Sequence, residues 1–195
     1  NGDLLVSSTE VLDLDEDLYR EGKWVVRLYA EAFSPNSPRW MQGSKELVQT
    51  ESEDDVVVGL SEHIRESLVS EDQLIIWGSG GTLRAIGENN GFELTTLGID
   101  VTMGSEQVGT DLDEAGILAI LSSHEGPTTL LLSPMGGQGF LIGRGNLQLS
   151  PAVLESIGID NILGVLTPAK LLTVRKLRIE TGDEGLDERF ASMRY

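Results

Sequence analysis

Short apolar runs alternate with amphipathic segments over residues 56–133, and this alternation constrains the fold more than any other feature. Over 56–69 the apolar positions recur every three or four residues, which predicts an amphipathic helix. The pattern then predicts strands at 73–77, 94–101 and 128–133. These strands alternate with helices predicted at 82–89 and 113–122. Strands that alternate with helices predict an α/β fold with a mostly parallel sheet flanked by helices, of the Rossmann-like kind.

The carboxy-terminal part of the chain predicts one more helix and two more strands. Ser150 and Pro151 predict the start of a helix that runs to about residue 157, because serine caps a helix and proline fits its first turn. Apolar runs at 161–166 and 177–183 predict strands, the second of which ends in a polar turn.

The amino-terminal part has a different pattern, which predicts a small β-rich lobe. Alternating apolar residues before residue 13 and the run at 24–29 predict a hairpin or short sheet. The segment 34–38, Ser-Pro-Asn-Ser-Pro, favours turns and separates this lobe from the rest of the chain. We therefore place the small lobe at 1–50 and an α/β domain with glycine loops at 51–195.

The acidic stretch Asp13-Leu14-Asp15-Glu16-Asp17 has two interpretations, a solvated turn and a cation loop. A calcium loop of the EF-hand type needs a central glycine and a terminal glutamate at fixed spacing. Both residues are missing at those positions, which favours the solvated turn.

Charge and composition exclude several classes of protein. Thirty-two acidic residues against fourteen basic ones give a formal charge of −18, which disfavours binding to nucleic acid through phosphate contacts. Such an acidic surface suits a salt-rich cytoplasm, although an ordinary acidic protein remains the alternative. The absence of cysteine excludes thiolate metal sites and disulfides, and no membrane span or signal peptide is evident. We expect a cytoplasmic protein, and a chain that begins inside a longer natural protein or at an engineered boundary.

The segment Gly78-Ser79-Gly80-Gly81-Thr82 lies between a predicted buried strand and a predicted helix. Glycines in this position let backbone amides approach an anion, and the helix dipole favours negative charge. The segment lacks the Lys-Ser/Thr ending of a Walker loop and the spacing of the dinucleotide fingerprint. A phosphate site and a tight structural turn both remain open.

A second glycine-rich segment, 136–145, holds five glycines in ten residues around one arginine. Arg144 can bind a phosphate or carboxylate through two parallel hydrogen bonds, and Gln138 and Asn146 can bind amide or hydroxyl groups. The ligand-binding residues predicted here are Gly136, Gly137, Gln138, Gly139, Arg144 and Asn146. The alternative is that the glycines serve close packing and that Arg144 pairs with an internal acid.

Acidic residues near turns are candidates for magnesium binding or for accepting a hydroxyl proton. Asp183 follows a glycine turn, and Asp113 stands at a predicted helix start, where acids commonly act as caps. Asp183 is the predicted catalytic residue.

Taken in order, these segments resemble the carboxy-terminal region of the ATP-NAD kinase family. The branch concerned contains polyphosphate- or ATP-dependent NAD kinases and proteins associated with acetoin catabolism. The similar motifs include Gly78-Ser79-Gly80-Gly81-Thr82, Leu97-Gly98-Ile99-Asp100, Gly136-Gly137-Gln138-Gly139, Gly143-Arg144-Gly145-Asn146, Lys170 and Thr181-Gly182-Asp183.

The resemblance implies transfer of a phosphoryl group from ATP or polyphosphate to the adenosine 2′-hydroxyl of NAD, with Mg²⁺ and usually in a homo-oligomer. The kinase block Gly-Gly-Asp-Gly-Thr does not occur in these residues, and 78–82 is similar to it without the aspartate. We therefore expect the nucleotide-binding part of an enzyme. The alternatives are a non-catalytic module that binds a nucleotide or phosphorylated metabolite, and a structural domain whose glycines serve oligomer packing.

Overall fold

The computed structural model describes residues 6–20, 26–35, 53–134, 139–174 and 176–192. The chain forms two compact units, residues 1–49 and 50–195. In the first unit, β1 (Val6–Leu14) and β2 (Val26–Pro35) pair antiparallel, with α1 (Glu16–Arg20) between them in the chain. The β-rich lobe predicted from the sequence is confirmed.

The acidic stretch 13–17 does not form the predicted turn, because β1 continues to Leu14 and α1 begins at Glu16. One carboxylate oxygen of Asp15 accepts a hydrogen bond from the Leu18 amide at 3.1 Å, and the other lies 2.6 Å from the Arg27 guanidinium. Within the described part of the chain, no group of three or more His, Asp or Glu side chains is placed to hold a metal ion.

The second unit contains one five-stranded sheet, one two-stranded sheet and the helices around them. Its elements are α2 (Glu53–Leu68), β3 (Leu74–Trp77), α3 (Gly81–Asn89), β4 (Asp100–Met103), β5 (Glu106–Gly109), α4 (Glu114–Ser123), β6 (Thr128–Leu132), β7 (Phe140–Ile142), α5 (Pro151–Ile157), a 3-10 turn (Ile159–Asn161), β8 (Ile162–Gly164), α6 (Pro168–Thr173), β9 (Arg178–Ile179) and α7 (Glu184–Ser192). No helix in the described ranges is long and apolar enough to cross a bilayer.

The five-stranded sheet has the order β5-β4-β3-β6-β8. Strand β6 runs parallel to both β3 and β8, whereas β4 runs antiparallel to β3 and to β5. Four of the five strands therefore point the same way, which confirms the predicted α/β fold with a mostly parallel sheet. Strands β7 and β9 form a separate parallel pair.

Both faces of the central strand β3 are buried, as the continuous apolar run predicted. Because successive side chains of a strand point to opposite faces, Leu74 and Ile76 join one core with α4, α5 and α7. Ile75 and Trp77 join a second core with α2 and α3.

The strand predicted at 94–101 is wrong over 94–99, where the structure has a loop, and only 100–103 forms β4. The buried carboxylate of Asp100 explains the loop, because it accepts hydrogen bonds from the Thr95 amide at 2.6 Å and from the Asp111 amide at 2.9 Å. These bonds turn the chain back on itself before the strand begins. The short helices α6 and α7 and the hairpin strand β5 were not predicted.

Candidate functional site

The carboxyl ends of β3, β6 and β8 meet at one edge of the sheet, since these strands are neighbours and run parallel. The chain leaves β3 into the predicted glycine segment 78–82, leaves β6 at Ser133 and leaves β8 toward α6. In open α/β sheets, ligands bind in the crevice outside the carboxyl ends of the strands. We therefore expect the ligand-binding site at this edge of the sheet.

The first glycine segment, 78–82, connects β3 to α3 as predicted. Gly78 packs closely: a Cβ there would lie 2.8 Å from Leu132 Cδ2 and 2.9 Å from the carbonyl oxygen of Leu131. Gly80 has φ +123°, and α3 begins without a side-chain cap or an acidic residue in its first turn. Gly78 is thus required for packing. The amides of Gly81 and Thr82 lie at the start of α3, where the helix has no acidic side chain of its own in the first turn.

The second glycine segment is described only from Gly139 onward, so the predictions for Gly136, Gly137 and Gln138 fall outside the described residues. Gly139 has φ +77°, and a Cβ there would overlap the carbonyl oxygen of Lys176. Its own carbonyl accepts a hydrogen bond from the Arg178 amide at 2.8 Å. Close backbone approach to the chain before β9 therefore requires glycine at this position.

Asn146 holds the turn that comes after β7. Its Oδ1 accepts from the Gly143 amide at 2.9 Å, and its Nδ2 donates to the Leu141 carbonyl at 2.7 Å. The side chain is 3% exposed. The structure thus gives Asn146 the role of shaping the turn that presents Arg144, whereas the sequence suggested direct contact with a ligand.

Arg144 is exposed at the tip of this turn, with its guanidinium carbon 5.7 Å from the centroid of the Phe140 ring. Across the described ranges it forms no salt bridge. The alternative that Arg144 pairs with an interior acid is therefore not what the structure shows.

The two predicted loops are in contact. Ser79, which is 2% exposed, donates from Oγ to the carbonyl oxygen of Gly145 at 3.3 Å. This hydrogen bond joins the end of β3 to the turn that carries Arg144, across 66 positions of sequence. The helix start of α3 and the Arg144 turn consequently belong to one site.

Lys170 adds a positive charge to the same edge of the sheet. From α6, its Nζ donates to Ser133 Oγ at 2.8 Å and to the Pro134 carbonyl at 3.2 Å. These groups mark the point where the chain leaves β6 and enters the second glycine segment. The sequence indicated Lys170 only through the family resemblance; its position two residues after Pro168 at a helix start was the one local signal.

Asp183 stands at the start of α7. Its Oδ1 accepts from the Leu186 amide at 2.8 Å, which is the hydrogen bond of a helix cap, and its side chain is exposed. The end of β9 lies beside the Arg144 turn, since the Glu180 amide donates to the Ile142 carbonyl at 3.1 Å. Asp113 likewise caps α4, with Oδ1 accepting from the Gly116 amide at 2.8 Å.

The capping role of Asp183 can be separated from any chemical role by two substitutions. Asp183→Ala removes the cap and should lower the free energy of unfolding by about 1 kcal/mol, whereas Asp183→Asn keeps a capping oxygen and should change it by only a few tenths. Urea unfolding of both variants measures the difference. Equal losses in the two variants would show that the carboxylate charge, and not the cap, stabilises α7.

The residues of the site fall inside a region that matches a known family. The model of the ATP-NAD kinase C-terminal domain matches residues 43–190, which is most of the chain. The chain belongs to this family. The match covers both glycine segments, Lys170 and Asp183 of this NAD kinase C-terminal domain. Neither the comparison with curated proteins nor that with solved structures found a match.

Proposed function

We propose that the second unit binds the phosphates of a nucleotide as the carboxy-terminal part of an NAD kinase-like enzyme. In that enzyme a phosphoryl group passes from ATP or polyphosphate to the 2′-hydroxyl of NAD, giving NADP. The hydrogen bond from Ser79 to Gly145 carries the proposal, because it unites an uncapped helix start and an exposed arginine at the carboxyl edge of a parallel sheet.

Each part of the site has a role in this proposal. The amides that begin α3 hold phosphate oxygens, to which the helix dipole adds a favourable potential. Arg144 binds a second phosphate through its fork of N–H donors. Lys170 donates hydrogen bonds to Ser133 and Pro134, which precede the second glycine segment, and it places a positive charge at the sheet edge. For Gly136, Gly137 and Gln138, phosphate binding is proposed from the sequence alone.

The described residues do not form a cage of several carboxylates for Mg²⁺. Magnesium is commonly bound by one or two carboxylates together with substrate phosphates, and it neutralises phosphate charge when bound. Asp183 is the carboxylate that we propose for this role or for accepting the hydroxyl proton. The Asp183→Asn variant tests it, because a catalytic carboxylate loses activity on this change and a cap does not.

The resemblance extends the proposal to a finer assignment. We propose that the chain belongs to the polyphosphate- or ATP-dependent branch that includes acetoin-catabolism-associated proteins, and that it acts as a cytoplasmic homo-oligomer. The division into a lobe at 1–50 and a nucleotide-binding domain at 51–195 is part of the same proposal.

A non-catalytic module that senses a nucleotide or phosphorylated metabolite is the second candidate. It is favoured by the absence of the Gly-Gly-Asp-Gly-Thr block from these residues and by the capping role of Asp183. The two candidates differ in NADP formation by the natural full-length protein with ATP or polyphosphate. A protein that binds nucleotides and forms no NADP is the binding module.

A charge placed at the start of α3 tests the phosphate site directly. Thr82 is half-buried in the first turn of α3, so Thr82→Glu puts a carboxylate where the phosphate would bind. The change should lower ATP affinity at least tenfold and yet stabilise the helix by about 0.3–1 kcal/mol, because acids favour helix starts. Calorimetry in molar potassium chloride and thermal unfolding measure the two effects.

Thr82→Gln is the matched control, since it has the size of glutamate without the charge. It should bind ATP about as tightly as the unaltered chain. If Thr82→Glu also binds ATP at full affinity, phosphates do not lie at the start of α3 and the proposed function fails.

A further inference from the structure

Two arginines lie against one aromatic ring in the second unit. The guanidinium carbons of Arg144 and Arg178 are 5.7 Å and 5.5 Å from the centroid of the Phe140 ring. Phe140 and Arg178 are directly opposite in the parallel pair of β7 and β9. Because both distances are measured to the same ring, the two guanidinium carbons are at most about 11 Å apart.

The pair is unusual for its charge. Neither arginine forms a salt bridge within the described part of the chain, although the whole sequence has more than twice as many acidic as basic residues. Two like charges beside the same ring repel each other when no anion lies between them. A ligand with two negative groups would remove that repulsion.

The position of the pair relates it to the candidate site. The Arg178 amide donates to the carbonyl of Gly139, the residue directly before β7. Arg144 lies in the turn after β7, whose Gly145 carbonyl accepts the hydrogen bond from Ser79. Both guanidinium groups lie beside the ring of Phe140, the first residue of β7.

There is open space beside Arg178. A groove of about 680 Å³ runs along β9 and α7, and Arg178 and Lys176 contribute positive charge to its lining. Its acids are Glu180 and Asp187, of which Asp187 already accepts hydrogen bonds from the amide and hydroxyl of Thr181. The groove therefore leaves room for a phosphate group beside Arg178.

We propose that Arg144 and Arg178 form a two-point clamp for a diphosphate group, and that Arg178 makes the site prefer two linked phosphates over one. Guanidinium groups bind phosphate oxygens in pairs, and their stacking on Phe140 holds them in place. The inference rests on the proposed function for the nucleotide that carries the diphosphate, but inorganic pyrophosphate tests the clamp without any nucleotide.

The test compares pyrophosphate with orthophosphate by calorimetry on the 195-residue chain. In Arg178→Ala, pyrophosphate affinity should fall at least tenfold while orthophosphate affinity changes less than about threefold, because Arg144 still holds one phosphate. Arg189→Ala is the matched control: Arg189 is an exposed arginine that pairs with Glu155, and its removal should leave both affinities unchanged. Equal weakening of both anions by Arg178→Ala, or no weakening of either, would overturn the clamp.

Arg178 also covers the Phe140 ring, so its removal could act through the fold. Arg178→Met keeps an apolar side chain over the ring and removes the charge. It should unfold at the temperature of the unaltered chain and still lose the preference for pyrophosphate; a retained preference would overturn the proposal. If the chain binds pyrophosphate through both arginines but does not bind ATP or NAD, the clamp is supported and the proposed function is wrong.

Discussion

Replacing Gly139 by alanine should destabilise the second unit by about 3 kcal/mol. The left-handed backbone at φ +77° costs an alanine about 1–2 kcal/mol, and the added Cβ overlaps a carbonyl oxygen of the main chain, a kind of overpacking that costs about 1–3 kcal/mol more. The oxygen belongs to Lys176, next to β9, so relief requires movement of that strand and of the pairing between β7 and β9. Thermal unfolding should show a midpoint lowered by roughly 10 °C.

Gly91→Ala is the matched control for this prediction. Gly91 has a similar φ of +87°, but a Cβ there would have no atom within 4 Å. Its substitution should therefore cost only the conformational part, about 1 kcal/mol. If both variants lose the same stability, the close approach of Gly139 to the chain before β9 does not exist in solution.

Replacing Lys170 by methionine should weaken ATP binding by about ten- to a hundredfold. The ammonium group donates to Ser133 Oγ and to the Pro134 carbonyl, and hydrogen bonds to charged groups contribute about 1.5–3 kcal/mol. Its loss removes the hydrogen bonds to Ser133 and Pro134 at the end of β6 and a positive charge at the sheet edge. Methionine has a similar length, so the packing of the aliphatic stem is kept. Calorimetry with ATP, in the same buffer for all variants, measures the effect.

Lys170→Arg and Arg65→Met are the controls for this experiment. Arginine restores the charge and should recover part of the affinity, although its planar group matches two acceptors less well than an ammonium does. Arg65 is exposed on α2, and its replacement changes the net charge equally without touching the site. A Lys170→Met chain that binds ATP normally and unfolds at a lower temperature would reduce Lys170 to a structural role.

Local signals in the sequence were sufficient for the elements that build the sheet edge. A wholly apolar run predicts β3 because the strand is buried on both faces, and glycines directly after it predict the turn into α3. Ser150 and Pro151 start α5 as predicted, with Ser150 Oγ accepting from the Val153 amide at 3.3 Å. In each case the deciding contacts lie within a few residues of each other.

Elements that depend on distant partners were missed. Residues 94–99 have the apolar content of a strand, but hydrogen bonds to the Asp100 carboxylate from Thr95 and Asp111 hold them as a loop. Helix α7 has a weak local pattern and is held by the burial of Leu186 and Phe190 against the sheet. Short helices of this kind are stabilised mainly by tertiary packing, which a local pattern does not contain.

By itself, the sequence determined the α/β class, the two glycine segments and Arg144 as the candidate ligand-binding arginine, because periodicity, glycine content and charge are properties of neighbouring residues. Only the tertiary structure decided that Ser79 meets Gly145, that Asn146 shapes a turn and that Arg178 joins Arg144 on Phe140. The contacts of Ser79 and Arg178 arise from strand order and register, which bring together residues that are far apart in the chain.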